Sequence, residues 1–493
     1  MRIAFDPQLR FDCPAVPDVQ LNTECRDEII PILKALQHVY GRPELRDELL
    51  QAVAQDVNGT SSADRGRPGM DYWSILVLGA VRLGCNLNYD RLQNLAEEHR
   101  SLRRIMGIEG WCEDQTFDWR CLRDNLCLLS PDTIERLNHM IVAEGHRLVP
   151  KAAETVRGDS FVVATDVHYP TDSGLIGDGL RTIVSTARRL AGLLGEGGWR
   201  QHKHLLHAVR KQLRMINRIA AGKGRDFRKR LQDAYRDLFD AADRIIARAI
   251  ALFDFTRIAI CPGAAATTIE RLKSKLIDFI NMTIHAYDQA RRRVLAEESV
   301  ANGEKLFSLF EPQTQLIMRG KVPQPIEFGH RVFIVEDGAG FVCHYRVLPH
   351  GAQDRDVLAG EMKQVQQRLG GRIRSASFDR GFHSPENQRE LAELVAQPCL
   401  PKPGHVQAEQ QEREATVAFR RARRRHPGIE SAIGALQSGN GLSRCRDHTF
   451  GGYCRYVGLG VLGRNLHVLG RLLIAREDPK CAAGQSRRGR EAA

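Results

Sequence analysis

No CxxC pair occurs among the twelve cysteines of this 493-residue chain. Spacings such as Cys121 to Cys127 or Cys445 to Cys454 fit no common zinc template, so a zinc-finger protein is a poor reading. Cysteines this scattered also fail to form the framework of a secreted disulfide scaffold. The longest apolar run, residues 73–81, stops at Arg82 and falls well short of the ~20 residues that a membrane span needs. The opening MRIAFDPQLRFD has no basic region leading into an apolar stretch, so no secretory leader is expected. The expected setting is the cytoplasm, with reduced thiols. A phosphate-cradling GxxxxGK[ST] loop is missing, which disfavours an ATP-driven motor. Aromatic residues make up 6% of the chain, and nothing resembles the stacking platforms of single-strand binders. Trp199, set among basic residues, reads as a packed side chain rather than a wedge.

What the chain does have is positive charge. Lys and Arg outnumber Asp and Glu by 72 to 60, giving +12, a surplus that favours a polyanionic partner, nucleic acid or an anionic membrane surface. Apolar residues at 42% suffice for substantial cores, and the length predicts roughly two to four domains.

Residues 27–149 carry helical periodicity, with Ile29, Ile30, Leu33 and Leu36 on one stripe and Leu92, Leu95, Leu102 and Met106 on another. An all-helical N-terminal domain over residues 1–150 is expected, assigned to DNA binding, with a helix-turn-helix or a plain bundle equally open between Asp90 and Leu129. At Gly158 the pattern changes: Asp159 to Thr165 reads as a short buried strand. Helical sequence then fills a long insertion, residues 179–324. Between Arg181 and Phe255 there are 17 Lys/Arg against 7 Asp/Glu. So one-sided a stretch reads as a phosphate-facing arm that includes Arg210, Lys211, Arg214 and Arg218, rather than a solvated face. Strands return at residues 330–335 and 341–347, separated by a hairpin turn, and again at 372–378. Ser384-Pro385 starts a helix, Arg420 to Arg425 form a basic cluster, and Ile429, Ile433 and Leu436 mark a helical face. A last apolar stretch spans 456–474, before a basic tail over 476–493 expected to be disordered. The simplest architecture is an α/β catalytic core of residues 151–178 and 325–475, a mixed sheet flanked by helices.

Three carboxylates fall on separate elements: Asp159 at the start of the first strand, Asp379 after a later strand, Glu430 on a helix. Oxygen ligands so distributed suit a hard divalent ion, and a pair of such ions can activate a nucleophile and stabilise a departing oxygen. Composition alone gives this little weight, because 60 acidic residues offer many such triples. The histidines His168, His344 and His383 are alternative acids or bases, with His168 and His344 read as structural.

Sequence context is more specific. Asp379-Arg380-Gly381-Phe382-His383-Ser384 follows a strand. Glu430 lies in Gly428-Ile429-Glu430-Ser431, followed by Gly441-Leu442-Ser443-Arg444-Cys445-Arg446, Tyr456-Val457 and Asn465-Leu466. Upstream stand Asp159-Ser160 with His168-Tyr169-Pro170-Thr171-Asp172-Ser173, then Gly66-Arg67-Pro68-Gly69-Met70, Lys305 to Glu311, Arg319-Gly320-Lys321 and Glu327-Phe328-Gly329-His330. In this order the segments resemble DDE transposases of bacterial insertion sequences, the ISNCY family in particular, across residues 40–475.

The resemblance implies a ribonuclease-H-like core, dependence on Mg²⁺ or Mn²⁺, and cleavage and strand transfer at insertion-sequence ends. Asp159, Asp379 and Glu430 match the catalytic and metal-holding residues. Phe161 replaces a Thr of the first motif, which leaves Asp166 as a rival for the first ligand. Position 437 is Gln where many relatives carry Lys or Arg, so that phosphate contact would come from Arg444 or Arg446. The implied partners are double-stranded DNA, as terminal inverted repeats and target, and further copies of the chain assembled on DNA ends. No membrane is involved, and the setting is the bacterial cytoplasm at the nucleoid. The alternatives are a catalytically decayed transposase acting only as a DNA-binding protein, and a metal-dependent nuclease of the same fold.

Overall fold

Helix-forming sequence dominates the first 150 residues, and a computed structural model shows it folded as α1 (Ile29–Tyr40), α2 (Pro43–Asn58), α3 (Tyr72–Gly84), α4 (Tyr89–Glu98), α5 (Arg100–Ile105), α6 (Trp119–Leu126) and α7 (Pro131–Leu148). The structure describes residues 12–59, 69–222, 226–256, 265–318, 326–404 and 408–477. The basic tail from 478 onward, Gly66-Arg67-Pro68 and Arg319-Gly320-Lys321 lie outside them. After the first helices come β1 (Thr155–Ala164), then α8 (Asp172–Leu194), α9 (His202–Ala220), α10 (Phe227–Phe255) and α11 (Ala266–Val294). The chain continues through β2 (Gln315–Met318), β3 (Ile326–Asp337), β4 (Val342–Val347), α12 (Asp354–Arg368), β5 (Ser375–Ser377), α13 (Pro385–Leu394) and β6 (Gln397–Cys399). It ends in α14 (Ala408–Ala415), α15 (Val417–Arg425), α16 (Gly428–Ser438) and α17 (Phe450–Glu477).

The protein is a mixed α/β chain with a six-stranded sheet in the order β2-β3-β1-β5-β6, β4 pairing with β3. β3 and β4 form the expected antiparallel hairpin, with a bulge between Val335 and Glu336. β1 and β5 run parallel, as do β5 and β6. β1 is longer than its sequence indicated, because Gly158, read as the boundary, lies inside it. A Cβ there would strike the Phe378 ring and crowd the Ile334 carbonyl, so glycine lets the aromatic cluster of Phe333, Phe378 and Phe382 close against the strand. Asp159 therefore stands mid-strand.

Contacts divide the chain into two units, residues 1–166 with 330–493, and residues 167–329. The second is the helical insertion with β2 and the first residues of β3, and it has its own core of Leu180, Ile183, Leu238, Ile245 and Leu276. Its boundaries are wider than the expected 179–324, because α8 starts at Asp172 under a Thr171 cap. In the first unit the N-terminal helices do not form a separate domain. Their side chains join those of the sheet in one apolar core, and the reason is α17. By length and composition this helix could cross a membrane, yet most of it is buried within the unit, around its circumference. A helix apolar on every side needs neighbours on every side. α17 packs against α1, α3, α7 and β4, and Asn465 clamps the β4 edge, accepting from the Val342 N–H at 2.9 Å and donating to its carbonyl at 3.0 Å.

Glycines set the closeness of this packing. A Cβ on Gly463 would run into the Gly84 backbone, whereas one on Gly451 would meet open space. Gly463→Ala should cost about 1–3 kcal/mol or more through overpacking. Gly451→Ala should be neutral or stabilising by about 0.5–1 kcal/mol, as for a solvent-facing helical glycine. Urea denaturation of both variants checks the pair, and equal effects would contradict this account of α17.

Candidate functional site

Side chains two apart on a strand share a face. In the parallel register Arg157 pairs with Ser377, so Asp159, two residues on, comes level with Asp379, two residues past Ser377. Asp379 lies just beyond β5, in extended conformation, and its carboxylate caps the 3₁₀ turn Arg380–Phe382 by accepting from the Arg380 N–H at 2.7 Å. The DRG turn thus holds its aspartate by a local hydrogen bond at a strand end. Glu430 sits in the first turn of α16, which packs on β1.

The electrostatics bring these residues together. Burial pushes Asp159 up to about 7; the Ser160 N–H, donating at 2.7 Å, opposes the shift, and the carboxylates of Asp379, Glu430 and Asp354 add to it. Three neighbouring negative charges act on one half-buried aspartate. Asp354, in the first turn of α12, accepts from the Ser160 hydroxyl at 2.7 Å and has Arg331 at 3.8 Å. Its sequence gave no signal beyond that of an ordinary helix start, and only the fold makes it a fourth carboxylate of the site. The rival Asp166 is exposed, lies past the end of β1 and faces Arg444 at 3.3 Å.

His426 is the other residue missed from sequence. It closes α15 four residues before Glu430, hydrogen-bonds the Ser377 backbone and feels the charges of Asp379 and Glu430. Burial holds its pKa below the usual value. Its Nδ1 is buried and without a hydrogen-bond partner among the described residues. The only available signal was the tight His426-Pro427-Gly428 link to the Glu430 helix. His344 is tied to Glu361 at 2.7 Å and Arg368 at 3.1 Å in the interior, and His168 is exposed, 3.4 Å from Asp178. His383 is half-buried, its pKa lowered chiefly by burial. Trp199 is packed, with the Arg248 guanidinium 5.2 Å from its ring centre.

Among the described residues no group of three His, Cys, Asp or Glu side chains, as placed, could hold a metal ion. In kind, the donor set fits a hard divalent cation, since carboxylate oxygens gathered around Asp159 are the ligands such an ion takes. Arg210, Lys211, Arg214 and Arg218 are all exposed on α9, where Val209, Ile216 and Ile219 face inward. Arg444 is also exposed. Arg446 departs from expectation: it donates to the Tyr456 hydroxyl at 2.9 Å and to Asn86 Oδ1 at 2.7 Å, so the fold already occupies its guanidinium.

The raised Asp159 has a consequence for stability. The native state holds this proton more tightly than the unfolded chain, so the penalty is absent below the ordinary aspartate pKa. It grows as pH rises and is complete above about 7. Asp159→Asn should therefore gain stability relative to the parent protein between pH 5 and pH 8, by about 1–2 kcal/mol once solvent screening is discounted. Denaturant titration at both pH values measures this, and a pH-independent difference would contradict the crowding of Asp159.

In comparisons with family models, curated proteins and solved structures, nothing matches this chain.

Proposed function

We propose that the protein is a DDE-type DNA transposase with a ribonuclease-H-like core. One observation carries this reading: the β1–β5 register sets Asp159 beside Asp379, with Glu430 near enough to raise Asp159's proton affinity. A central strand carrying one carboxylate, a parallel neighbour ending at the second, a helix carrying the third and an antiparallel hairpin beyond the central strand support the ribonuclease-H-like assignment. The ordered resemblance of the sequence to ISNCY transposases supplies the reaction class.

In this reading Asp159, Asp379 and Glu430 would hold Mg²⁺ or Mn²⁺, with Asp354 next to them. The ions, when bound, supply activation of the attacking oxygen and charge stabilisation of the leaving one. The chain's own contribution is to fix the carboxylates: β1 and the DRG turn hold two rigidly, and α16 brings the third. α9 provides phosphate contacts through Arg210, Lys211, Arg214 and Arg218, with Arg444 as a further cation. The partners are double-stranded terminal repeats and target DNA, with two or more copies of the chain on paired ends. The setting is the bacterial cytoplasm, at the nucleoid.

A second reading, a decayed transposase that only binds DNA, draws on Phe161 and Gln437, which depart from the pattern of the transposases that the sequence resembles. Cleavage separates the two. Asp379→Asn should reduce Mg²⁺-dependent cleavage of element-end DNA by at least about 100-fold, as expected for loss of a metal-holding group. Duplex affinity should stay within about threefold, because phosphate contacts carry it. Cleavage surviving in the variant rules out the role of Asp379, and absence of any cleavage by the parent protein favours the second reading.

The α9 cations make a separate expectation. Each phosphate neutralised contributes about 0.9 to the log–log salt slope, so replacing Arg210, Lys211, Arg214 and Arg218 with Gln should flatten it by up to about 3.6, for specific and unrelated duplexes alike. Fluorescence anisotropy at several salt concentrations gives the slope. If it is unchanged, the α9 charge is merely a solvated face.

A further inference from the structure

A cleft of about 360 Å³ opens beside the carboxylates in the same unit, and the proposed reaction assigns it no role. Its floor is formed by Thr155, Arg157, Ser375 and Ser377, and its wall by Ala418, Arg421, Ala422 and Arg425 of α15. The wall residues are spaced i, i+3, i+4, i+7, one face of a helix. Floor and site share one sheet face, because Arg157 and Asp159 alternate together, as do Ser377 and Asp379. The cleft lies on the sheet face that carries the carboxylates, and its lining reaches Arg157 and Ser377, each two residues short of Asp159 and Asp379.

The charges on its lining do not cancel. Arg157 is neutralised by the buried Glu336, with Nη2 and Nε at 2.5 and 2.6 Å from Oε2. Its Nη1 donates to the Arg425 backbone carbonyl at 3.0 Å, which holds the end of α15 over the sheet. Asp337, another lining group, is paired with His146 at 2.7 Å. That leaves the guanidinia of Arg421 and Arg425 against the carboxylate of Glu154. Both arginines are exposed and have no ion pair among the described residues, whereas Arg423 on the same helix reaches Glu414 at 3.6 Å. α15 is anchored beneath them by Phe419 and Ala422, packed against Cys399, so the pair is mounted on a fixed element. A planar guanidinium matches phosphate in two-pronged fashion, and the Ser375 and Ser377 hydroxyls line the floor below.

We infer that this cleft binds a phosphate group through Arg421 and Arg425, and that its source is a backbone phosphodiester of the DNA strand leading to Asp159 and Asp379. The inference rests on the DNA-processing reading and adds the path of the strand. Salt-dependent binding of a random-sequence duplex by full-length R421Q/R425Q and R421K/R425K tests it. The Gln pair should flatten the log–log slope by about 1.8, two contacts at about 0.9 each, and weaken binding several-fold at 0.1 M salt. The Lys pair should keep most of the slope.

An unchanged slope in a Gln variant with native circular dichroism overturns the inference. If the Gln variant fails to fold, the parent fold is probed by a benzophenone amino acid at Ala418. A DNA crosslink there supports the inference, and no crosslink from 418 when the same group at Met215 on α9 does react overturns it. Inorganic phosphate distinguishes the source. If 10 mM phosphate raises the melting temperature of the parent protein but not of R421Q/R425Q, and the DNA slopes agree, the cleft takes free phosphate and the DNA path is overturned. Mg²⁺-dependent cleavage separates the two readings. A flattened slope without any cleavage by the parent protein keeps the cleft and removes the transposase assignment; unaltered slope and cleavage in R421Q/R425Q do the reverse.

Discussion

Parallel strands cannot be joined by a tight turn, so β1 and β5 meet only after the chain has made the insertion, the β3–β4 hairpin and α12. Their pairing, with Arg157 level with Ser377, is the constraint on which the candidate site depends. A slip of one residue would turn Asp159 or Asp379 to the opposite face and bury a carboxylate among Phe333, Phe378 and Phe382. The aromatic cluster that excludes this register sits on the face where Gly158 leaves room for Phe378. Packing on one side of the sheet therefore fixes the chemistry on the other.

Charge is treated differently inside and at the site. Several interior ionisable groups are matched: Arg82 lies between Tyr89 and Tyr456 and forms a two-pronged pair with Asp447 at 3.0 and 2.5 Å. His146 with Asp337 and His344 with Glu361 are both paired at 2.7 Å. Leaving any of these unpaired would cost several kcal/mol, about 3–5 for a broken buried pair. Around Asp159 the neighbours are instead like-charged, and proton affinity rises. A fold that matches these interior charges and concentrates one sign around Asp159 tolerates a local penalty, the pattern of a group held ready for a cation or a proton.

The same logic separates the arginines. Arg82, Arg157 and Arg446 are occupied by side chains or backbone carbonyls and serve packing, whereas Arg421, Arg425 and the α9 cations are exposed. Sequence alone ranks all of these equally as basic residues. The two groups of exposed cations lie in different units of the chain, and each is mounted on a helix whose opposite face is buried.

The sequence by itself determined the hairpin, the α13 cap at Ser384, the helical insertion and the separation of Asp159, Asp379 and Glu430 onto strand, turn and helix, because period, turn residues and caps are local properties. It misplaced the start of β1, since a glycine in a strand reads as a break until the ring that needs its space is known. It also treated residues 1–150 as an independent domain, because apolar periodicity shows that a helix face is buried but not which partner covers it; α17 covers it from more than 300 residues away. Asp354, His426 and the occupied guanidinium of Arg446 were decided only in three dimensions. Their roles follow from neighbours distant in the chain, Ser160, Ser377 and Asn86, which only tertiary packing brings into reach.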